Sequence, residues 1–253
     1  MKSRLISALL VATAAVATPA HATVLYANNF DSAPTVAAGV TATGPTNASP
    51  TGGTPGIATA GSWNASGWSG NFFVNTSTGN PATASTITLT GLKPNSAVKI
   101  GGVIGLLQSW DSTDGGCCAP DYLNVSINGN SVATLTANNA LGSVTNLDGA
   151  TVLAFHQQVD TNGFYSDTLG DLGTAGFANA FADASGHFTL TFQASGGGWQ
   201  GGDDENWGLD NLSFIGTVGG VPEPATWAMM ALGVGMAGAA LRRRPRKARA
   251  AVA

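Results

Sequence analysis

Between residues 23 and 221 the chain carries thirteen acidic side chains, twelve Asp and the single Glu205, against two basic ones, Lys93 and Lys99, a formal charge of −11. Carboxylates at that density offer hard oxygen ligands, which suit a cation such as calcium. The same charge repels nucleic acid and anionic lipid, so no nucleic-acid partner is expected. Asp111, Asp114 and Asp121 bracket a Gly-rich loop and form one candidate cation group. Asp203, Asp204 and Glu205 form an acidic run that reads as a solvated turn. Neither group has the spacing of an EF-hand loop.

Other reactive side chains are few. The body holds two histidines, His156 and His187, and neither sits in a nucleophile motif, so no catalytic residue is assigned and an enzyme is not expected. Cys117 and Cys118 are adjacent and are the only cysteines. In an oxidising compartment they can close a vicinal disulfide; free thiols and a bridge to another chain are the alternatives. Trp63, Trp68 and Trp199 lie in Gly-rich loops and are the candidate ligand surface, where indoles could stack on sugar rings. Trp110 and Trp207 are expected in the core.

The elements that must position these groups are short and β-type. Lys, Glu and Arg are scarce in the body, and strong helix-forming stretches are missing. Apolar or alternating runs at 24–30, 71–75, 85–92, 98–107, 122–128, 131–136, 152–159, 187–194 and 209–215 are punctuated by Gly, Asn, Asp and Pro. Asn128-Gly129-Asn130 is a hairpin signal, because Asn and Gly accept positive φ. The pattern predicts an all-β domain over 23–217, an antiparallel β-sandwich of jelly-roll type. The Thr/Ala/Gly/Pro-rich stretch 33–61 reads as a long loop packed on the sandwich or as a locally disordered segment, 137–150 as a polar connection with a short helical turn, and 169–182 as a small helix.

Both ends read as addresses. Lys2 and Arg4 precede an uncharged run over 5–16, and Ala20, His21 and Ala22 form a small-x-small site. Residues 1–22 are therefore expected to be a signal peptide, cut by signal peptidase after Ala22. The last segment, 218–253, holds Val221, Pro222, Glu223 and Pro224, then 17 uncharged residues over 225–241, then a basic end over 242–253. The uncharged run is at the short limit of a membrane-crossing helix, roughly 17–25 residues. The basic end is expected to stay cytoplasmic, which places the body outside the cytoplasm.

This order of Pro-Glu-Pro, apolar segment and basic cluster resembles the PEP-CTERM sorting tail of exported bacterial proteins. The resemblance implies that an exosortase, a membrane protease-transpeptidase, removes the helix. The protein would be anchored transiently in the inner membrane and then reach the cell surface or extracellular matrix. Within the body, Ser109-Trp110-Asp111, Pro120-Asp121-Tyr122-Leu123-Asn124-Val125 and Glu205-Asn206-Trp207-Gly208-Leu209-Asp210-Asn211 resemble the "SWDG … PDxFxVxVNG … DESWGxDNV" pattern of extracellular jelly-roll domains, over about 85–215. Related sandwiches hold a structural calcium between first and last strands, and the matching positions are Asp31 and Asp210. The function expected is that of a non-catalytic surface or matrix protein. The alternatives are a carbohydrate-binding module for extracellular polysaccharide and a polysaccharide hydrolase using paired carboxylates.

Overall fold

A computed structural model describes residues 22–44, 56–59, 67–114, 118–159, 165–220 and 224–242. In chain order its strands are β1 (Thr23–Asn28), β2 (Thr35–Val36), β3 (Thr41–Thr43), β4 (Gly56–Thr59), β5 (Asn71–Asn75), β6 (Ser85–Thr90), β7 (Ala97–Gln108) and β8 (Asp121–Ile127). They continue with β9 (Asn130–Ala137), β10 (Thr145–Asn146), β11 (Thr151–Gln157), β12 (Asp167–Asp171), β13 (Asn179–Phe181), β14 (Phe188–Gly196) and β15 (Glu205–Gly216). A 3₁₀ turn spans Leu172–Thr174, and the helix α1 spans Pro224–Arg242.

All pairings are antiparallel and fall into two sheets. One runs β11-β12-β7-β15-β1-β2, with β13 also on β7, and β5 joining β15 to β4. The other runs β10-β9-β8-β14-β6-β3. Strict alternation makes the second sheet one-sided: β8 and β14 bury every second residue, so Leu123, Val125, Leu190 and Phe192 all face inward. The two faces meet through aromatic contacts, Phe188 to Phe214 at 5.5 Å and Phe192 to Trp207 at 5.4 Å between ring centroids. β7 is the spine of the first sheet, and its last six residues are all buried. That matches its continuously apolar sequence and its place with neighbours on both sides.

The hairpin reading holds to the residue. Ile127 pairs with Asn130, and the intervening Asn128 and Gly129 both have positive φ, 50° and 78°. That is the geometry in which a two-residue loop matches strand twist.

Two expectations need correction and a third needs an addition. The stretch read as a long loop or disordered segment contributes β2, β3 and β4, edge strands of two to four residues (TV, TAT and GIAT) too short to show an alternating pattern in sequence. Residues 169–182 form most of β12, a single 3₁₀ turn and β13 rather than a helix, because their apolar residues pair with β7. The polar connection over 137–150 does hold a single helical-type turn, with the Gly142 N–H donating to the Asn138 carbonyl at 2.9 Å, and what needs adding is the two-residue strand β10, which pairs with β9.

The uncharged C-terminal run does form a helix, α1, with Pro224 at its start, where a missing N–H costs nothing. Its Met229, Met230, Leu232, Val234 and Met236 are exposed. Among the described residues, however, no helix is long and apolar enough to cross a membrane. The glycines at 233, 235 and 238 dilute its apolar surface.

Candidate functional site

The first and last strands of the body lie side by side, with Asn28 opposite Leu212. This brings Asp31, three residues beyond β1, to the same place as Asp210. A bulge in β15 makes the site: the register with β7 jumps between Asp210 and Ser213, and Asn211 takes φ 49°. Gly102 on β7 faces the bulge, and any side chain there would meet Asp210 O at 3.0 Å. The buried Asp210 carboxylate accepts the Ser69 N–H at 2.9 Å and the Asn211 N–H at 2.6 Å. Asp31 accepts the Asn71 N–H at 2.7 Å, and the Asn211 side chain donates to the Gly67 carbonyl at 2.6 Å. Both carboxylates therefore grip one five-residue segment, 67–71. Burial pushes the Asp210 carboxyl up to about 6, its two backbone donors pull it down, and the negative charge of Asp31 pushes it up further. A hard cation between them would remove that repulsion, and carboxylate oxygens are of the ligand type that calcium takes. Among the described residues, no group of three His, Cys, Asp or Glu side chains is placed to hold a metal ion.

A second acidic group lies at the start of β15. Asp121 opens β8 in one sheet and Glu205 opens β15 in the other; both are fully buried. Asp121 exchanges bonds with Asp111: its Oδ2 accepts the Asp111 N–H at 2.8 Å, and its own N–H donates to the Asp111 carbonyl at 2.7 Å. Glu205 Oε2 accepts the N–H groups of Gln200 and Gly201. The remaining oxygens, Asp121 Oδ1 and Glu205 Oε1, are buried and have no hydrogen-bond partner among the described residues. Burial raises Asp121 to about 8, against the Asp111 N–H, with Glu205, Asp111 and Asp204 adding repulsion. Burial likewise raises Glu205 to about 7. Asp114 behaves oppositely: the Ser112, Ser143 and Asn138 side chains donate to it and hold it down at about 2. Asp203, exposed, and Asp204, half-buried, do lie in the turn before β15, but Glu205 is not part of it: it is the first residue of a central strand and is buried. The Asp114 and Asp121 carboxylates are held by side-chain and backbone donors, and Asp111 is joined to Asp121 through its backbone.

The tryptophan surface is also corrected. Trp68 is fully buried, 4.4 Å from Phe72 between ring centroids, in a smaller core with Val103, Leu107 and Leu169. The bonds from Asp210 to Ser69 and from Asn211 to Gly67 draw its loop down onto the sheet, which carries the indole inward. Trp199 is 5% exposed and sits edge-on to Trp110 at 5.4 Å. Trp63 lies outside the described residues. Trp110 and Trp207 are in the core, and the Trp110 indole N–H donates to the Asn206 carbonyl at 2.6 Å.

His156 hydrogen-bonds through Nδ1 with the Asn139 carbonyl at 2.5 Å and packs beside Gly142. His187 is exposed, and its backbone N–H donates to Asp183 at 2.8 Å. The disulfide expectation lies outside the described residues, because Cys117 does; Cys118 is exposed with φ 63°. Ala20 of the expected signal cleavage site and Val221, Pro222 and Glu223 of the tail lie outside them as well.

Pro224, eight residues after the end of β15, opens the helix α1, whose only charged residue is its last, Arg242. Residues 220–244 match the PEP-CTERM protein-sorting motif. The PEP-CTERM motif marks exported proteins handled by an exosortase, so the tail is an address for export and processing. No curated protein matches the chain. Among solved structures, it is similar to a cyclase from Fischerella sp. TAU, with 13% identity, covering 79% of this chain and 100% of that one, at a TM-score of 0.34. It is also similar to a Stig cyclase, Fisc, from Fischerella sp. TAU in complex with (3Z)-3-(1-methyl-2-pyrrolidinylidene)-3H-indole, with 12% identity, 78% and 100% coverage, and a TM-score of 0.31. Likenesses this distant carry no statement about activity.

Proposed function

We propose that the chain is an exported, non-catalytic cell-surface or matrix protein, a jelly-roll-like body delivered by its PEP-CTERM tail. The observation that carries this reading is the match at 220–244, set immediately after the acidic sandwich. In this reading signal peptidase removes residues 1–22, and the run 225–241 holds the protein in the inner membrane while the arginines of 242–253 stay inside. An exosortase then acts at the Pro-Glu-Pro segment and releases the body or passes it to the surface.

Two features support a non-catalytic body. The reactive carboxyls Asp121 and Glu205 are buried and bound to backbone N–H groups. Both histidines make local contacts, His156 through its ring and His187 through its backbone. A structural calcium at Asp31 and Asp210 would tie β1, the β15 bulge and the 67–71 segment together. The mass of the mature protein tests the sorting reading. A product lacking residues 1–22 and the apolar tail is expected, and a cell without its exosortase should retain the tail. A mature protein that keeps 225–253 in exosortase-positive cells would overturn it.

A further inference from the structure

Away from both acidic groups, the sandwich opens into a cleft of about 600 Å3 between the β8–β9 hairpin and β13. That volume lies within the ~300–1,000 Å3 of small-molecule sites. Its walls are tied to each other. The Asn128 side chain donates to the Phe181 carbonyl at 2.9 Å and accepts the Thr189 N–H at 2.9 Å, so hairpin and β13 are held at a set spacing. Asp148 lines the cleft from the loop before β11; its carbonyl accepts the Gly176 N–H at 2.7 Å, and its Oδ2 accepts the Phe177 N–H at 3.2 Å. Its Oδ1 accepts no bond among the described residues, and neither does the exposed side-chain amide of Asn179. At the rim Phe181 is 62% exposed and Val132 41%. A phenyl ring left in water beside a preformed cleft is an unusual surface for a small domain, and marks a contact face.

We propose that this cleft binds a neutral saccharide of one to a few rings. A sugar ring has an apolar C–H face and a rim of hydroxyls. Here the Phe181 ring and Val132 offer the apolar plane, while the Asn179 amide and Asp148 Oδ1 offer a donor and acceptors to the hydroxyls. The lining contains no Lys, Arg or His, so it has nothing to hold a carboxylate, sulfate or phosphate. Nor does its rim form the aromatic cage that holds a quaternary ammonium. The site differs in every residue from the tryptophan surface suggested by sequence.

Calorimetric titration of the full chain, purified in a non-glycosidic detergent, tests this with neutral glucan, mannan and galactan oligosaccharides and oligogalacturonate as the anionic comparison. Saturable binding of at least one neutral series is expected. Phe181→Ala should weaken it by about tenfold or more and Asn179→Ala by several-fold, while Phe181→Tyr keeps it. These side chains are exposed, so an unchanged melting temperature establishes that each variant is folded. No saturable binding of any neutral series at about 10 mM, binding untouched by Phe181→Ala, or equal binding of oligogalacturonate would each overturn the proposal. The result is independent of tail processing, so a failure here leaves the sorting reading intact.

Discussion

Asp210 accepts the backbone N–H of Ser69 at 2.9 Å across 141 positions of sequence. This bond joins the β15 bulge to the segment that leads into β5, and Asp31 grips the same segment two residues later through Asn71. The site where first and last strands meet is therefore held by carboxylates, and its strength should depend on their charge state.

Calcium is expected to raise the melting temperature of the protein. At a hundredfold excess over the dissociation constant the gain is about 2.7 kcal/mol. Asp210→Asn or Asp31→Asn should remove most of this shift. A melting temperature indifferent to calcium and to EDTA, read by calorimetry, would rule out the structural ion.

Gly70 has φ 66°, and a Cβ there would stand 2.4 Å from Asp31 Oδ1. Gly70→Ala should therefore break the Asp31–Asn71 bond as well as strain the backbone, costing roughly 1–3 kcal/mol. Urea unfolding of the variant checks this, and a loss below about half a kcal/mol would mean that the loop relaxes freely.

The buried pair Asp121 and Glu205 sets a pH dependence. Their folded pKa values, about 8 and about 7, lie above their ordinary values of 3.8 and 4.5. Between about pH 4 and pH 8 the folded state keeps protons that the unfolded chain has released, so stability falls as pH rises through that window. Asp114, held at about 2, works the other way only below about pH 4. The melting temperature in EDTA should be several degrees higher at about pH 5 than at about pH 8.5, and Asp121→Asn with Glu205→Gln should flatten the profile. A profile that rises toward pH 8.5 would contradict the burial of neutral carboxyls.

Trp68→Ala should cost about 3–5 kcal/mol, as expected for an indole removed from a packed core. Loss of sugar binding with stability unchanged would instead restore Trp68 to the ligand surface. Guanidinium unfolding separates the two outcomes.

Some parts of this architecture are local, and those were legible. The alternation of Ser85–Thr90 reappears as alternating burial, and the Asn128-Gly129 hairpin needed only two residues that accept positive φ. The edge strands β2, β3 and β4 were not legible. Runs of two to four residues are too short to show a period, and become strands only because a partner's backbone lies beside them.

The sequence by itself determined the address and the charge. The Pro-Glu-Pro segment, the uncharged run and the arginines act through composition and order along the chain, and the −11 of the body follows from counting. Tertiary structure alone decided which acidic groups matter and where a ligand can reach. It buried Glu205 and Trp199, set Asp31 and Asp210 on one segment, and left Phe181 in water. Glu205, Asp210 and Phe181 lie on strands, where a one-residue shift of register would turn each side chain to the other face, and Asp31 and Trp199 lie on loops that the strands set in place.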